Sequence, residues 1–163
     1  MSDRHDDSPA GPRMPAATGE CHTISPATAA TRSIDFTGAA GTAAAARRAA
    51  RAFATTHSPA DHRALVDAVE LVVSELVTNA VRHAPGPCVL DLEHTGTEVR
   101  VAVHDTSRAH PTPRTRDPHR PAGHGLELVR SLSVRFTVTA THTGKTVTAH
   151  IRLPERPTHP TRE

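Results

Sequence analysis

Two polar side chains, Glu75 and Asn79, stand four residues apart in a stretch whose apolar residues have helical spacing. On a helix, residues four apart meet on one face, so the carboxylate and the carboxamide lie side by side. Oxygen atoms of these types can hold a hard cation such as Mg²⁺, directly or through its waters, or can position a reacting hydroxyl or water. The same spacing is also typical of a partly exposed pair with ordinary hydrogen bonds, so the pair alone leaves both interpretations open.

The helix that carries this pair is predicted to run from about Pro59 to His83. Its buried face is predicted from apolar residues that fall within one arc of a helical wheel, namely Leu65, Val69, Val72, Leu76 and Ala80. Asn79 and His83 fall in the same arc, and Glu75 lies on its edge. Polar groups on a core-facing stripe cost free energy unless a partner satisfies them, so we expect neighbouring protein groups or a ligand at these positions.

Two other places along the chain have residues suited to ligand binding. Asp105 ends a run with strand alternation and is followed by the small residues Thr106 and Ser107. Strand ends that open into loops often carry ligand-binding residues. Farther on, the turn Gly123-His124-Gly125 comes directly before a helical pattern over residues 126–133. Glycines at a helix start let backbone amides approach an anion at the positive end of the helix dipole, although a simple turn or cap is the ordinary alternative.

The rest of the chain supplies the elements that must position these residues. A first helix is predicted over residues 42–55, which are strong helix formers, with Thr42 as its cap. Ser58 and Pro59 are predicted to cap and begin the long helix, and residues 84–87, rich in proline and glycine, are predicted to end it. Alternating apolar residues predict five strands, the first at a sheet edge: residues 33–37, 88–94, 98–104, 134–142 and 145–153.

This order of elements predicts an α/β fold, a two-layer α/β sandwich with helices on one face of a mixed, mainly antiparallel sheet. Residues 108–122 include four prolines and are predicted to form a lid-like loop before the glycine turn. Arg47, Arg48 and Arg51 cluster on the outside of the first helix, as either a solvated face or a docking surface.

Length and composition predict one folded domain between two tails. Residues 33–153 form a domain large enough to be stable without disulfides or metal sites. Residues 1–32 and 154–163 are rich in proline and polar side chains and have few large apolar ones, so we expect both segments to be disordered.

Charge and residue types argue against several classes of function. The net charge is +2, and the chain has three Phe but no Trp or Tyr for base stacking, so a nucleic-acid partner is not expected. No apolar run approaches the ~18 residues needed to cross a membrane. The 13 His are scattered rather than set at metal-ligand spacings. Cys21 and Cys88 do not make a disulfide framework, so we expect reduced thiols and a cytoplasmic location.

Three motifs in chain order resemble the nucleotide-binding boxes of the GHKL (Bergerat-fold) ATPases: ELVTNAVRHA at residues 75–84, VAVHDTS at 101–107 and GHGLELV at 123–129. Within that superfamily they are most similar to the small anti-sigma-factor serine kinases of the RsbW and SpoIIAB kind. The resemblance covers nearly all of residues 34–153 and implies the Bergerat fold for that segment.

The resemblance assigns roles along the long helix. Asn79 matches the asparagine that holds Mg²⁺ against the nucleotide phosphates. Glu75 matches the acidic residue that is proposed in such kinases as the general base for the attacking hydroxyl. Arg82 and His83, beside these two, are candidates for contacts with the phosphates.

The other two motifs are assigned in the same way. Asp105 matches the aspartate that accepts the exocyclic amino group of adenine, a contact that favours ATP over GTP. The family commonly has Asp-x-Gly there, whereas Thr106 and Ser107 follow here; Ser107 is small enough to be tolerated and is a candidate donor to an adenine-bound water. The turn Gly123-His124-Gly125 matches the lid glycines, whose amides meet the phosphates where the helix of Leu126 begins.

The resemblance implies a cytoplasmic, ATP-dependent serine/threonine protein kinase with ATP and Mg²⁺ as cofactors. Its implied partners are an anti-sigma-factor antagonist of the STAS type, which it phosphorylates, and a sigma factor, which it sequesters. Relatives that sequester sigma factors often act as homodimers, although no feature of this sequence specifies one. The alternative is an ATP-binding regulatory module that gates a protein partner without phosphoryl transfer.

Overall fold

The computed structural model describes residues 29–58, 62–108 and 125–154 of the chain. The elements in these ranges follow in the order β1 (Ala30–Phe36), α1 (Thr42–His57), α2 (Arg63–His83), β2 (Cys88–His94), β3 (Glu98–Asp105), α3 (Gly125–Leu132), β4 (Arg135–Ala140) and β5 (Lys145–Arg152). This is the order of strands and helices that the sequence patterns predict.

The five strands form one sheet with the spatial order β1-β2-β3-β5-β4, so β1 lies at an edge, as predicted. All four strand pairings in the described part of the chain are antiparallel. The predicted α/β fold class is confirmed. The sheet is more uniform than the mixed one expected, since none of the described strands pairs in parallel.

The helices cover one face of this sheet. Helix α1 packs against α2, and α2 lies across β2, β3 and β5. In β2 and β5, alternate residues are buried, as they must be when one face meets helices and the other meets solvent. We call the second face, which carries Asp91, Arg100 and His104, the open face.

The buried side of α2 agrees with the predicted arc, with one exception. Leu65, Val69, Val72, Leu76 and Ala80 are all buried. His83 shares their direction on the helical wheel but is exposed, so the expectation that it faces the core is wrong. A helical wheel gives a direction and not the extent of the core, and at the last residue of α2 this direction leads to solvent.

Both predicted helix caps are also wrong. Ser58 ends α1 rather than beginning α2, because its backbone N–H donates to the Ala54 carbonyl at 2.9 Å and its own backbone is extended. Helix α2 begins at Arg63, and residues 59–61 lie outside the described ranges. Thr42 is the first helical residue of α1, not its cap; its hydroxyl donates to the Ala39 carbonyl at 2.8 Å.

The sheet begins earlier in the chain than predicted. Strand β1 starts at Ala30, which pairs with His94, so residues 30–32 belong to the sheet and not to a tail. The remainder of the predicted N-terminal tail, residues 1–28, and nearly all of the C-terminal one lie outside the described residues. No helix within the described ranges is long and apolar enough to cross a membrane.

Candidate active site

Helix α2 presents Glu75 to the first residue of α3. A β-carbon on Gly125 would lie 1.8 Å from Oε2 and 2.7 Å from Cδ of Glu75, so only glycine permits the observed approach. Fully buried Val129 anchors α3 to the core one turn later. The carboxylate of Glu75 and the N-terminal end of α3, where the helix dipole is positive, therefore share one small region.

Asn79 lies one turn further along α2 and is half-buried. Within the described part of the chain, neither its carboxamide nor the Glu75 carboxylate makes a side-chain hydrogen bond or an ion pair. Neighbouring protein groups would have to satisfy the pair in its ordinary interpretation, and none of these residues does so. Both side chains therefore keep their polar atoms available to a ligand, and that of Glu75 lies at the start of α3.

A second polar centre lies at the end of β3, where Asp105 is buried. Its Oδ1 accepts a hydrogen bond from Lys145 Nζ at 2.9 Å and another from the Ser107 backbone N–H at 2.9 Å. Lys145 Nζ also donates to the Ser107 carbonyl oxygen at 3.2 Å. The exposed fraction is 2% for the Asp105 side chain and 6% for that of Lys145, so the two form a buried ion pair. No described residue donates to Oδ2 of Asp105.

Sequence reasoning missed Lys145, although a signal was present. It is the single lysine of the chain, in which the other 18 basic residues are arginines. Only the sheet register brings it to Asp105, because these two residues are directly paired between β3 and β5. The approach is tight, since a β-carbon on neighbouring Gly144 would lie 1.8 Å from the Asp105 carbonyl oxygen.

Cys88 lies buried at the start of β2, near this ion pair, and is a free thiol. Burial and the charge of Asp105 raise the pKa of the Cys88 thiol. The thiol therefore stays neutral, and the charges of this buried centre are those of Asp105 and Lys145.

A family model described as the histidine kinase-like ATPase domain matches residues 36–151, which include both polar centres. The chain belongs to this family. The predicted resemblance to the GHKL ATPases is thereby confirmed, and the chain is an ATP-binding domain of the kinase-like type.

Solved structures similar to this ATPase domain include one of the RsbU and RsbW domains of a protein from Mycobacterium tuberculosis. The identity is 21% and the TM-score 0.58, over 76% of this chain and 32% of that one, which shows a shared fold. A histidine kinase domain of a blue-light-activated histidine kinase from Erythrobacter litoralis matches at 30% identity and a TM-score of 0.39, over 55% of this chain and 45% of that one. The ATPase domain thus spans about a third of the first of these chains and under half of the second. A search of curated proteins found no match.

The other predicted site residues of the ATPase domain differ in burial and in their distance along the chain from the two polar centres. Leu126 is half-buried in the first turn of α3, whereas Arg82 and His83 are exposed at the end of α2. Ser107 contributes its backbone N–H and carbonyl to the Asp105 centre. Gly123 and His124 lie outside the described residues, as does the predicted lid apart from Arg108. Arg108 donates to the backbone carbonyl of His142, in the turn between β4 and β5.

Proposed function

We propose that this ATPase domain is a serine/threonine protein kinase of the anti-sigma-factor type. It uses Mg·ATP to phosphorylate a STAS-type anti-sigma-factor antagonist, and through that exchange it regulates a sigma factor in the cytoplasm. The observation that carries the proposal is the contact between the Glu75 carboxylate and Gly125, because it joins an acidic side chain to the helix end suited to phosphate groups.

Phosphoryl transfer asks a protein mainly to position groups and to stabilise negative charge. In this proposal Glu75 accepts the proton of the attacking hydroxyl, whose oxygen then bonds to the γ-phosphorus as the bond to the bridging oxygen of ADP breaks. The backbone amides at the start of α3 are the proposed donors to phosphate oxygens. Each of these tasks falls to a group that the fold brings to the same region.

The residues present fit a magnesium ion that is held together with a nucleotide. In the described ranges, no group of three or more His, Cys, Asp or Glu side chains is arranged to hold a metal by itself. Mg²⁺ commonly keeps several waters and takes one or two protein ligands besides the phosphates. Asn79 supplies one amide oxygen that lacks a side-chain partner among the described residues, and it would hold such an ion, which neutralises phosphate charge when bound.

Asp105 is the proposed acceptor for the amino group of adenine. Its Oδ1 already accepts hydrogen bonds from Lys145 Nζ and from the Ser107 backbone N–H, while Oδ2 has no donor among the described residues. An ionised carboxylate can only accept hydrogen bonds, so this position favours an amino group over the 6-oxo group of guanine. Arg82 and His83, exposed beside the site, remain candidates for contacts with phosphates.

The second candidate function is an ATP-binding regulatory module that gates a protein partner without transfer. The observation that favours it is that Glu75 lies against a helix end, where a carboxylate also stabilises structure through the helix dipole. In that case Glu75 would stabilise the start of α3 and take no part in chemistry.

Label transfer from γ-labelled ATP to a panel of STAS-domain proteins tests the choice. We expect wild-type protein to label at least one of them. Glu75→Gln should keep ATP affinity and slow transfer by about 100-fold or more, since general-base catalysis contributes roughly that much. Glu127→Gln, at an exposed position in the first turn of α3, is the matched control and should transfer normally.

Two results would reject the kinase. Tight ATP binding without transfer to any protein, unchanged in Glu75→Gln, would establish the regulatory module instead. Transfer that persists at the wild-type rate in Glu75→Gln would remove Glu75 as the base.

A further inference from the structure

We propose that Lys145 is a positioning residue that sets the base selectivity of this site. By binding Oδ1 of Asp105, it fixes the carboxylate so that Oδ2 is the acceptor offered to a nucleobase, and a 6-amino purine is then preferred over a 6-oxo purine. The inference rests on the proposed function, in which Asp105 recognises adenine.

The Lys145 ammonium holds the turn that follows β3. It donates to Asp105 Oδ1 at 2.9 Å and to the Ser107 carbonyl at 3.2 Å, and so joins both ends of the turn over residues 105–107. The Ser107 N–H donates to the same Oδ1 at 2.9 Å. Two donors on one oxygen fix the rotation of the carboxylate and leave the other oxygen for a ligand.

Lys145 and Asp105 form their ion pair in a buried position. Removing a charge from water costs free energy, and a nearby counter-charge offsets part of that cost. Lys145 is that counter-charge for Asp105, since the two side chains are 6% and 2% exposed. Because the pair is neutral as a whole, the carboxylate can remain an anion, and hence a pure acceptor, in a buried position.

Lys145 acts through Asp105. Its two hydrogen bonds in the described part of the chain both go to residues 105–107, and its place at the start of β5 is fixed by direct pairing with Asp105. A positioning role therefore predicts that its loss matters only while the Asp105 carboxylate is present.

Calorimetric titration of the full chain with Mg·ATP and Mg·ITP tests this inference. ITP carries a 6-oxo group in place of the 6-amino group of adenine, so the ratio of the two affinities reports on that position alone. We expect the wild-type protein to prefer ATP by at least about tenfold. Lys145→Met should reduce the ATP to ITP ratio by about fivefold or more, with ITP affinity changed less than about threefold.

The matched control is Arg100→Met on β3, the strand that ends at Asp105; it removes the cation of an ion pair with Glu93 on the open face of the sheet. It should leave the ATP to ITP ratio unchanged. Because Lys145→Met leaves an unpaired buried carboxylate and can fail to fold, Asp105→Asn is compared with the double variant that also carries Lys145→Met. We expect these two to have the same ratio, since the carboxylate that Lys145 orients is gone from both.

Three results would overturn the inference. One is an ATP to ITP ratio in folded Lys145→Met within about twofold of wild type. Another is a further loss of selectivity when Lys145→Met is added to Asp105→Asn. The third is a wild-type protein that binds ATP and ITP equally. If the wild-type protein binds no ATP at all, the proposed function fails first and the inference falls with it, so the two failures are distinguishable.

Discussion

The backbone of Gly125 occupies the space directly in front of the Glu75 carboxylate, where a β-carbon would lie 1.8 Å from Oε2. The two residues are far apart in sequence and belong to different helices, yet each constrains the other. A side chain at residue 125 would have to push the carboxylate aside, and the position of the carboxylate requires that residue 125 be glycine.

Gly125→Ala should therefore impair chemistry more than stability. The atoms in the way are the far end of a flexible side chain, which can rotate out of the way. Alanine is also the better helix former, by about 0.8–1 kcal/mol, which offsets a rotamer cost of roughly the same size. We expect the free energy of unfolding in urea to change by no more than about 1 kcal/mol, and phosphoryl transfer to slow by at least about tenfold.

Glu127→Ala, on the exposed side of the same helical turn, serves as the control and should leave transfer unchanged. Full transfer activity in Gly125→Ala would mean that the position of the Glu75 carboxylate is unimportant for the reaction.

Asn79→Ala should abolish Mg·ATP binding and leave the fold largely intact. The carboxamide has no side-chain hydrogen bond within the described ranges, so its removal breaks none there, whereas the proposed metal ligand is lost. Calorimetry should show a loss of affinity well beyond tenfold, or ~1.4 kcal/mol. Ser74→Ala, at a half-buried position on another side of α2, is the matched control. Affinity within about threefold of wild type would refute the metal assignment.

Gly144→Ala should damage the fold where Gly125→Ala does not. A β-carbon on Gly144 would lie 1.8 Å from the Asp105 carbonyl oxygen and 2.8 Å from the Thr106 Cα, and backbone atoms cannot rotate away as a side chain can. We expect a loss of about 1–3 kcal/mol in urea unfolding, as is usual for overpacking, together with weaker ATP binding because Asp105 is displaced. Equal stability of the two alanine variants would contradict this distinction.

His94 should make the domain less stable in mild acid. It is buried; its Nδ1 accepts from the Gly96 N–H at 3.3 Å, and its Nε2 has no partner among the described residues. Burial and the charge of nearby His57 lower the pKa of His94 from 6.5. The unfolded chain therefore takes up this proton before the folded one does, so stability is complete above pH 6.5 and decreases as the pH falls from there to the lowered pKa.

Thermal unfolding between pH 7.5 and pH 5 measures this contribution. His94→Asn keeps an acceptor near the position of Nδ1 but does not titrate, so its midpoint should fall less with pH than that of the wild-type protein. His83→Asn removes an exposed histidine and should follow the wild-type curve. Parallel curves for wild type and His94→Asn would exclude His94 as the source.

Sequence periodicity determined which side chains share a helix face or a strand face. Leu65, Val69 and Val72 are buried as their spacing predicts, and Glu75 and Asn79 lie one turn apart beside them. These relationships follow from the repeat of the backbone itself, so the sequence suffices for them. The three motifs in their order likewise suffice to predict the family, because each motif is a local segment of sequence.

Tertiary structure alone decided which distant groups meet and where each element stops. The pairing of Asp105 with Lys145 depends on the register of β5 against β3, and the contact of Glu75 with Gly125 depends on how α3 packs on α2. The same dependence explains the errors. Ser58 ends a helix because its N–H closes the last turn of α1, a choice its side chain does not reveal. A local pattern specifies which face of a helix or strand a side chain occupies. Contact between distant residues depends on how whole elements pack, and no short stretch of sequence specifies that packing.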